Sequence, residues 1–595
     1  MPTKIHSGTT RRAHRVRTTI DAEGCSLSPR RRIGERVRER TPRRFDALCA
    51  PEPGWGRLVP ISRKPVVSAG DEPSPPRFRG RGIPRCGFCM HEPLLTNLGS
   101  PVTSRRFPLS PSEGERAGVR GPSRPCGSGT QDASQCREVL FLLAPRVLLW
   151  LALIATVFSL GPLASAANWP QYRGPGARGL DESQASPTNW NVETGANIRW
   201  QTPVPGLAHA SPIVWGDRVY VATAVKPGQA DLKVGLYGDI TPLVEKEVHQ
   251  WRLLALDKAT GKIIWSTLGH EGVPRAKRHP KASPCNSTPA TDGHRIVALF
   301  GSEGLFCFDT AGKLVWQKDL GPMDSGYYVV PSAQWGFGSS PIITDGKVIV
   351  LCDVLTNSFL AAYALADGKE VWRTARKDMP TWGTPTVVET PGRKQIAVNG
   401  WYFTGGYDFA TGTNLWHFEG GGDIPVPTPV FAHGLIYFTS AHGLCAPMRA
   451  VRPDAEGDIT PDDPGATNSA IVWAHAKRGN YMQTPIVVGD LLFASNDAGA
   501  VTCFDAATGA VKFNHRLGAG GQGFTASPVS DGRHVYFTSE QGVVFVVAVA
   551  NQYSLAGSNV LHETCLATPA MADGTLFFRT REKLIAVGAG SGGRD

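Results

Sequence analysis

The sequence predicts an all-β fold, an eight-bladed β-propeller of four-stranded antiparallel blades. A Ser/Thr-Pro step followed by an apolar segment recurs eight times, at Pro212, Pro289, Pro341, Pro385, Pro429, Pro485, Pro528 and Pro569. Four of the seven separations between these prolines are 41 to 44 residues. A glycine-containing turn follows each step, and most units carry a later Asp-x-x-Thr-Gly-type turn before an aromatic residue. Units of this length with four short strands are typical of propeller blades.

Residues 1–138 are predicted to be a disordered basic segment. The first 136 residues hold 25 Lys and Arg against 12 Asp and Glu, and the rest of the chain holds 37 against 39. Two interpretations of the segment stay open: translated DNA upstream of the true start, or a basic arm for nucleic acid or membrane. The near-neutral remainder predicts no nucleic-acid partner. Cys86 and Cys89 lack a second ligand pair at a spacing that suits zinc, so no metal site is predicted.

Residues 139–166 have the anatomy of a secretory signal peptide. Arg146 precedes an apolar run from Val147 to Leu160, and Ala164-Ser165-Ala166 forms an A-x-A cleavage site. A retained membrane anchor is the alternative. In both cases the signal around 146–166 predicts export of the propeller, residues 167–595, to the periplasm, the cell envelope or the extracellular space.

A bulky ring on the fourth strand of a blade is predicted to pack against the next blade. These structural docking residues are Trp200, Trp265, Trp316, Trp372, Trp416, Trp473 and Phe513. The last unit, which begins at Pro569, has only three strands of its own. The missing fourth strand stands at the front of the propeller, around Trp200. Pairing the two ends would close the ring and leave no open edge between them.

Two long separations between the prolines mark insertions. They are residues 225–250 in blade one and residues 448–470 in blade five. A functional loop and a packing flap are both open interpretations of each insertion. Ahead of the first blade, Trp169 and Arg173 are predicted to form a structural clasp across the disc.

The stretch ALDKATGKIIW, residues 255–265, and its copies resemble the tryptophan-docking repeat of the pyrroloquinoline-quinone (PQQ) propeller superfamily. The resemblance covers about residues 168–588. The opening NWPQYRGPGARGL, residues 168–180, is similar to secreted planctomycete-type PQQ-like propellers. The superfamily holds PQQ-dependent alcohol and sugar dehydrogenases as well as non-enzymatic propellers, including the periplasmic lipoprotein of the barrel-assembly machine. The resemblance therefore implies the fold and leaves the activity open.

The dehydrogenases of this superfamily usually hold PQQ against a disulfide between adjacent cysteines. They also use a calcium ion held by Glu and Asn near a catalytic Asp. This sequence has no adjacent cysteines, and none of the tetrapeptides that begin the channel-lining strands contains a carboxylate. We therefore predict a monomeric, non-catalytic scaffold, without an assigned catalytic residue or cofactor, that binds a protein, peptide or polymer. An atypical PQQ-dependent oxidoreductase with calcium, acting on alcohols or sugars, is the alternative.

Fold analogy places a binding site at the mouth of the central channel. The side chains predicted there are His209, Asn286, Trp335, Trp382 and Gln483. For each of them a purely structural role is the alternative. Trp335 is the strongest candidate, because two neighbouring glycines leave room beside its ring.

Overall fold

The computed structural model describes residues 167–235, 241–330, 332–442 and 445–589. The predictions for residues 1–138 and for the signal at 139–166 lie outside the described residues. Within these ranges the chain forms 33 strands and two single-turn 3-10 helices, Pro175–Ala177 and Gly301–Glu303. Neither of these helices has the length and apolar character needed to cross a bilayer.

The strands form eight sheets, each of which is one blade of a propeller. The first strand is β1 (Ile198–Pro203). Blade 1 contains β2 (Ile213–Trp215), β3 (Arg218–Val225), β4 (His249–Asp257) and β5 (Ile263–Gly272), and blade 2 contains β6 (Ala290–Thr291), β7 (Arg295–Leu299), β8 (Leu305–Asp309) and β9 (Leu314–Lys318). Blade 3 contains β10 (Ile342–Thr344), β11 (Lys347–Cys352), β12 (Phe359–Ala364) and β13 (Glu370–Ala375), and blade 4 contains β14 (Thr386–Thr390), β15 (Arg393–Val398), β16 (Thr404–Asp408) and β17 (Asn414–Phe418).

The second half of the ring repeats this arrangement. Blade 5 contains β18 (Val430–Ala432), β19 (Leu435–Thr439), β20 (Met448–Val451) and β22 (Ile471–His475), and blade 6 contains β23 (Ile486–Val488), β24 (Leu491–Ser495), β25 (Ala500–Asp505) and β26 (Val511–Arg516). Blade 7 contains β27 (Val529–Ser530), β28 (His534–Thr538), β29 (Val543–Ala548) and β30 (Leu555–Val560), and blade 8 contains β31 (Ala570–Ala572), β32 (Thr575–Arg579) and β33 (Lys583–Val587). The short β21 (Gly457–Asp458) joins blade 4. The prediction of eight four-stranded antiparallel blades is confirmed.

Blade 8 closes the ring with a strand from the front of the propeller. β1 pairs antiparallel with β33, with Trp200 opposite Ala586. The strand order of this sheet is therefore β31-β32-β33-β1. The predicted closure around Trp200 is confirmed, and it gives the last blade the outer strand that its own segment lacks.

The docking of one blade on the next is shown by the turn at Asp257. The carboxylate of Asp257 accepts hydrogen bonds from the backbone N and the Oγ1 of Thr260, at 2.8 and 2.7 Å. Gly261 has a φ of +71°, and a Cβ on it would lie 2.5 Å from ring atoms of Trp200. The Nε1 of Trp200 donates to the carbonyl of Lys258 at 2.9 Å. Four further predicted rings donate to carbonyls of the next blade at 2.9 to 3.3 Å, namely Trp265, Trp316, Trp372 and Trp473.

Trp416 departs from this pattern because of the insertion in blade 5. Its ring is fully buried among residues of blades 4 and 5, but its Nε1 donates to the Oε1 of Gln395 in its own blade, at 2.8 Å. The predicted insertion 448–470 also needs a corrected boundary, because β20 ends at Val451 and the extra residues follow it. β21 in this insertion pairs parallel with β17. The insertion therefore acts as a packing flap on the edge of blade 4.

Blade 7 takes its docking ring from outside the blade. Its outer strand β30 has no aromatic residue, and the carbonyl of Thr188 lies against Gly557 in this strand. The buried ring of Trp190 lies 5.8 Å from that of Phe578 in blade 8. The amide of Asn559 holds the segment in place, because its Oδ1 accepts from the backbone N of Trp190 and its Nδ2 donates to Thr188, both at 2.9 Å. Sequence reasoning missed Trp190.

The predicted docking ring of blade 6 contacts an aromatic side chain of the next blade. The ring of Phe513 lies 6.0 Å from that of Tyr553 and 6.2 Å from that of Phe493 in its own blade. Aromatic pairs in such edge-to-face arrangements add stability beyond the apolar area that they bury. Phe513 therefore packs between blades 6 and 7 without the polar indole contact of the tryptophans.

Candidate functional site

Hydroxyl groups of the Ser/Thr-Pro steps form a ring around the central channel. The backbone amide of one step donates to the hydroxyl oxygen of the next, at 2.9 to 3.2 Å. Seven such bonds link, in order, Ser211, Thr288, Ser340, Thr384, Thr428, Thr484, Ser527 and Thr568. Because buried backbone donors need partners and the following proline has no N–H, the hydroxyl has a structural role at blades 2 to 8, whereas the Oγ of Ser211 in blade 1 has no partner among the described residues.

Residues 168–182 cross one end of this channel. The buried Trp169 exchanges two backbone hydrogen bonds with Val214 in blade 1, at 2.8 and 2.9 Å. The guanidinium of Arg173 donates to the carbonyls of Pro528 and Pro485, at 2.8 and 3.0 Å, in blades 7 and 6. Burial lowers the pKa of Arg173 to about 10. The segment therefore acts as the clasp predicted for Trp169 and Arg173.

A cavity of about 350 Å³ lies in the channel above this segment. Tyr172 of the crossing segment, hydroxyls of the ring and side chains from the loops between blades line the cavity. The structure brings four of the predicted binding residues together in this lining, namely His209, Asn286, Trp335 and Trp382. Their role in binding stays a prediction.

Gln483, the fifth predicted residue, does not line the cavity. Its side chain is fully buried, and its amide nitrogen donates to the carbonyl of Phe524. The two residues before it, Tyr481 and Met482, line the cavity instead. The structure therefore does not place Gln483 at the channel mouth: this residue stands two positions before Pro485, and its side chain is directed at Phe524 in the segment that leads to blade 7.

Like Trp382, the lining residues His209 and Asn286 have hydrogen-bond partners within the fold. The Nε2 of His209 lies 2.9 Å from the carbonyl of Lys281, so this nitrogen carries the proton. Burial lowers the pKa of His209 to about 4, which keeps the imidazole neutral at pH 7. The Oδ1 of Asn286 accepts from the N and Oγ of Ser283, at 3.0 and 2.8 Å, and its Nδ2 donates to Phe337 at 3.0 Å. Both side chains thus shape the cavity.

A row of aromatic rings borders the mouth of the cavity. We call Tyr327, Trp335, Trp382, His442 and Tyr481 the aromatic wall. The rings of Tyr327 and Trp335 are stacked, with centroids 5.6 Å apart and planes 4° apart, and the ring of Trp382 lies 5.9 Å from that of Trp335. The ring of His442 lies 5.5 Å from Tyr327 and 5.7 Å from Tyr481. All five side chains are partly or fully exposed.

One carboxylate joins two members of the aromatic wall. The Oδ2 of Asp423 accepts from the hydroxyl of Tyr327 at 3.2 Å, and its Oδ1 lies 2.7 Å from the Nδ1 of His442. The three residues come from three different loops of the mouth. With Nδ1–H donated to the carboxylate, the Nε2 of an uncharged imidazole would be an acceptor.

The insertion of blade 1 lies on the mouth side, between β3 and β4. Glu245 accepts two hydrogen bonds from the guanidinium of Arg278, both at 2.9 Å. Glu540 of blade 7 accepts from the N of Gly235 and the Nζ of Lys281, both at 2.6 Å. Burial alone would raise the pKa of Glu245, but hydrogen bonds from His249 and Arg278 lower it to about 2. The ion pair of Glu245 with Arg278 and the hydrogen bond of Gly235 to Glu540 thus anchor the described parts of this insertion beside the cavity.

The lining does not fit PQQ with calcium. The quinone carries three carboxylates, whereas Lys281 is the one lysine or arginine among the described lining residues, and it is paired with Glu540. Within the described ranges, no cluster of His, Cys, Asp or Glu has the geometry to hold a metal ion. The six cysteines of these ranges are free.

Sequence reasoning missed three members of the aromatic wall and the carboxylate behind it. The pair Tyr327 and Tyr328, in the same loop as Trp335, was a signal that this loop is rich in aromatic residues. Asp423, His442 and Tyr481 carry no comparable local signal, because each stands in a different loop.

A family model described as outer membrane protein assembly factor BamB matches residues 184–327, 249–515 and 356–594. BamB from Moraxella catarrhalis is 14% identical, with 61% of this chain and 98% of that chain covered and a TM-score of 0.42. The quinohemoprotein alcohol dehydrogenase from Comamonas testosteroni is 13% identical, with 72% and 81% covered and a TM-score of 0.50. The quinohemoprotein alcohol dehydrogenase ADHIIG from Pseudomonas putida HK5 is 12% identical, with 72% and 81% covered and a TM-score of 0.46.

The likeness to the Comamonas testosteroni structure is one of fold. Among curated proteins, none matches the chain significantly. The match of the family model confirms the predicted membership of the PQQ-like propeller superfamily.

Proposed function

Since the chain belongs to the family described as outer membrane protein assembly factor BamB, we propose that it is an exported, non-catalytic propeller scaffold. Its binding site is the mouth of the central channel, and its partner is a protein, a peptide or another polymer. Export follows from the signal that the sequence carries around 146–166. The chain acts as a monomer at the cell envelope or outside the cell.

One observation carries this proposal: the two ends of the channel differ. The crossing segment occupies one end, where Arg173 is bonded to blades 6 and 7. The other end opens into the cavity of about 350 Å³ beside the exposed aromatic wall. Exposed tryptophan and tyrosine side chains beside a concave surface are typical of binding sites. The one lysine of the described cavity lining, Lys281, is paired with Glu540 and is too little for the three carboxylates of PQQ, which favours a scaffold over an oxidoreductase.

Site-specific photo-cross-linking tests the proposal. Val329 is 58% exposed in the loop of the aromatic wall, whereas Val511 is 42% exposed on the outer strand β26. A benzophenone amino acid is placed at either position of the full chain, and the proteins are irradiated in native envelope preparations. We expect position 329 to form a cross-linked adduct that disappears when an excess of the chain without benzophenone competes for the partner. We expect no adduct from position 511.

Bound PQQ is measured on the same purified samples. A stoichiometric quinone absorbance together with dye reduction by alcohols or sugars would reverse the conclusion in favour of an oxidoreductase. Equal adduct yields at positions 329 and 511, or no adduct at either, would remove the channel mouth as the binding site.

A further inference from the structure

The aromatic wall presents ring surfaces that the fold does not require. The rings that hold the blades together lie between blades, as Trp200 does. Tyr327 and Trp335 instead stack on one another at the mouth, with their ring planes nearly parallel, and remain partly exposed. Trp382 continues the same surface into the cavity. Large ring faces of this kind bind flat ligands with apolar C–H faces.

Polar groups for hydroxyl recognition stand beside these rings. The carboxylate of Asp423 is 15% exposed, and each of its oxygens accepts one hydrogen bond from the protein. A carboxylate has about four lone-pair positions, so each oxygen retains room for a further donor. The ring of His442 is 37% exposed and adds an acceptor at Nε2. A ligand with ring faces and several hydroxyl groups matches both sets of groups.

The charges at the mouth disfavour an anionic ligand. Lys281 and Arg278 are ion-paired with Glu540 and Glu245, at 2.6 and 2.9 Å. A polyanion gains most from cations that lack a carboxylate partner, because it replaces their counterions. Asp423 adds negative charge at the same surface. A nucleic acid or an acidic polymer is therefore a poor match.

A proline-rich peptide is a weaker match than a sugar chain. Such peptides lie in aromatic grooves and need side-chain donors for their backbone carbonyls. The Nε1 of Trp382 already donates to the carbonyl of Gly336 at 2.8 Å. The hydroxyl of Tyr327 already donates to Asp423. The donors of Trp382 and Tyr327 are thus occupied, while acceptors for ligand hydroxyls remain. The Nε1 of Trp335 has no hydrogen-bond partner among the described residues, but it is buried away from solvent.

We propose that the channel mouth binds a neutral carbohydrate chain. A sugar ring packs on Tyr327 and Trp335, its hydroxyls donate to Asp423 and His442, and the chain end or a branch enters the cavity. This inference rests on the proposed function, since it names the chemical class of the partner at the same site. No bond is made or broken.

Calorimetric titration of the full chain with cellohexaose, laminarihexaose and chitohexaose tests the inference. We expect saturable binding of at least one of these probes. Tyr327→Ala weakens that binding about tenfold, because it removes one ring surface. Tyr327→Phe keeps the ring and weakens binding less than the alanine variant does. The matched control is Tyr553→Ala, since Tyr553 is also partly exposed but stacks on His515 at the outer rim of blade 7; it binds like the unmodified chain.

Asp423→Asn is the second variant, which keeps the size of the side chain and weakens binding through its hydroxyl contacts. Circular dichroism confirms that each variant is folded. The inference is overturned if none of the three hexasaccharides binds at millimolar concentration, if Tyr327→Ala binds as tightly as Tyr553→Ala, or if decaproline binds in their place. If the sugars fail while position 329 still forms a specific adduct with a protein, the inference falls and the proposed function stands.

Discussion

Removing the ring of Trp200 tests how the two ends of the propeller are joined. The ring is 8% exposed and packs on the turn at Gly261, and its Nε1 donates to Lys258 at 2.9 Å. Replacing a buried tryptophan by alanine costs about 3–5 kcal/mol of unfolding free energy. The lost hydrogen bond contributes about 1 kcal/mol of that cost. Trp200→Ala should therefore lower the stability by about 4 kcal/mol, a large share of the ~5–15 kcal/mol typical of a domain.

Trp200→Phe is the matched control, because it keeps most of the ring and loses the Nε1 donor. We expect it to cost about 1–2 kcal/mol. Urea unfolding of the full chain, followed by far-ultraviolet circular dichroism, gives both changes. Amide hydrogen exchange shows where the chain is destabilised. The amides of β1 and β33 should exchange faster in the alanine variant, whereas those of β11 and β12 should not.

The reasoning is refuted if the alanine and phenylalanine variants unfold at the same urea concentration. It is also refuted if exchange in β33 is unchanged in Trp200→Ala, because the seam would then be held by backbone pairing alone.

Three further predictions concern the channel and the blade seams. Thr484→Val leaves the buried N–H of Thr428 without its acceptor and should cost about 1–3 kcal/mol in urea unfolding, whereas Thr484→Ser should cost less than half as much; equal costs would contradict the hydroxyl ring. The pKa of His209 is lowered to about 4 in the folded chain. As the pH falls, the imidazole therefore becomes protonated in the unfolded chain before it does in the folded chain, and the free energy of unfolding should decrease between about pH 6.5 and pH 4. His209→Gln should reduce this decrease in the same pH titration. Gly261→Ala places a side chain at a φ of +71° and against the ring of Trp200, whereas at Gly216 φ is +57° and the space is open. Gly261→Ala should therefore lower the melting temperature more than Gly216→Ala does. A larger decrease in melting temperature for Gly216→Ala would contradict the docking geometry.

Much of the ring could be predicted from the sequence because its signals are local. The turn at Asp257 and the ring of Trp265 lie within eleven residues of chain, and their copies recur at similar spacing. The missing strand of the last unit predicted the closure around Trp200, which the pairing of β1 with β33 confirms. The candidate site was harder to predict, and Gln483 was misplaced because a small change of position decides whether a side chain faces the channel or a neighbouring blade.

The repeat by itself determined the number of blades, their strand order and the rings between most of them, because each unit carries its own turn and aromatic residue. Only the tertiary structure decided that Trp190 fills the seam of blade 7, that the insertion of blade 5 covers blade 4, and that Asp423 meets His442 and Tyr327 at the mouth. These contacts join segments of different blades or of the front of the chain. Closing the ring brings such segments together, and no short stretch of sequence records that proximity.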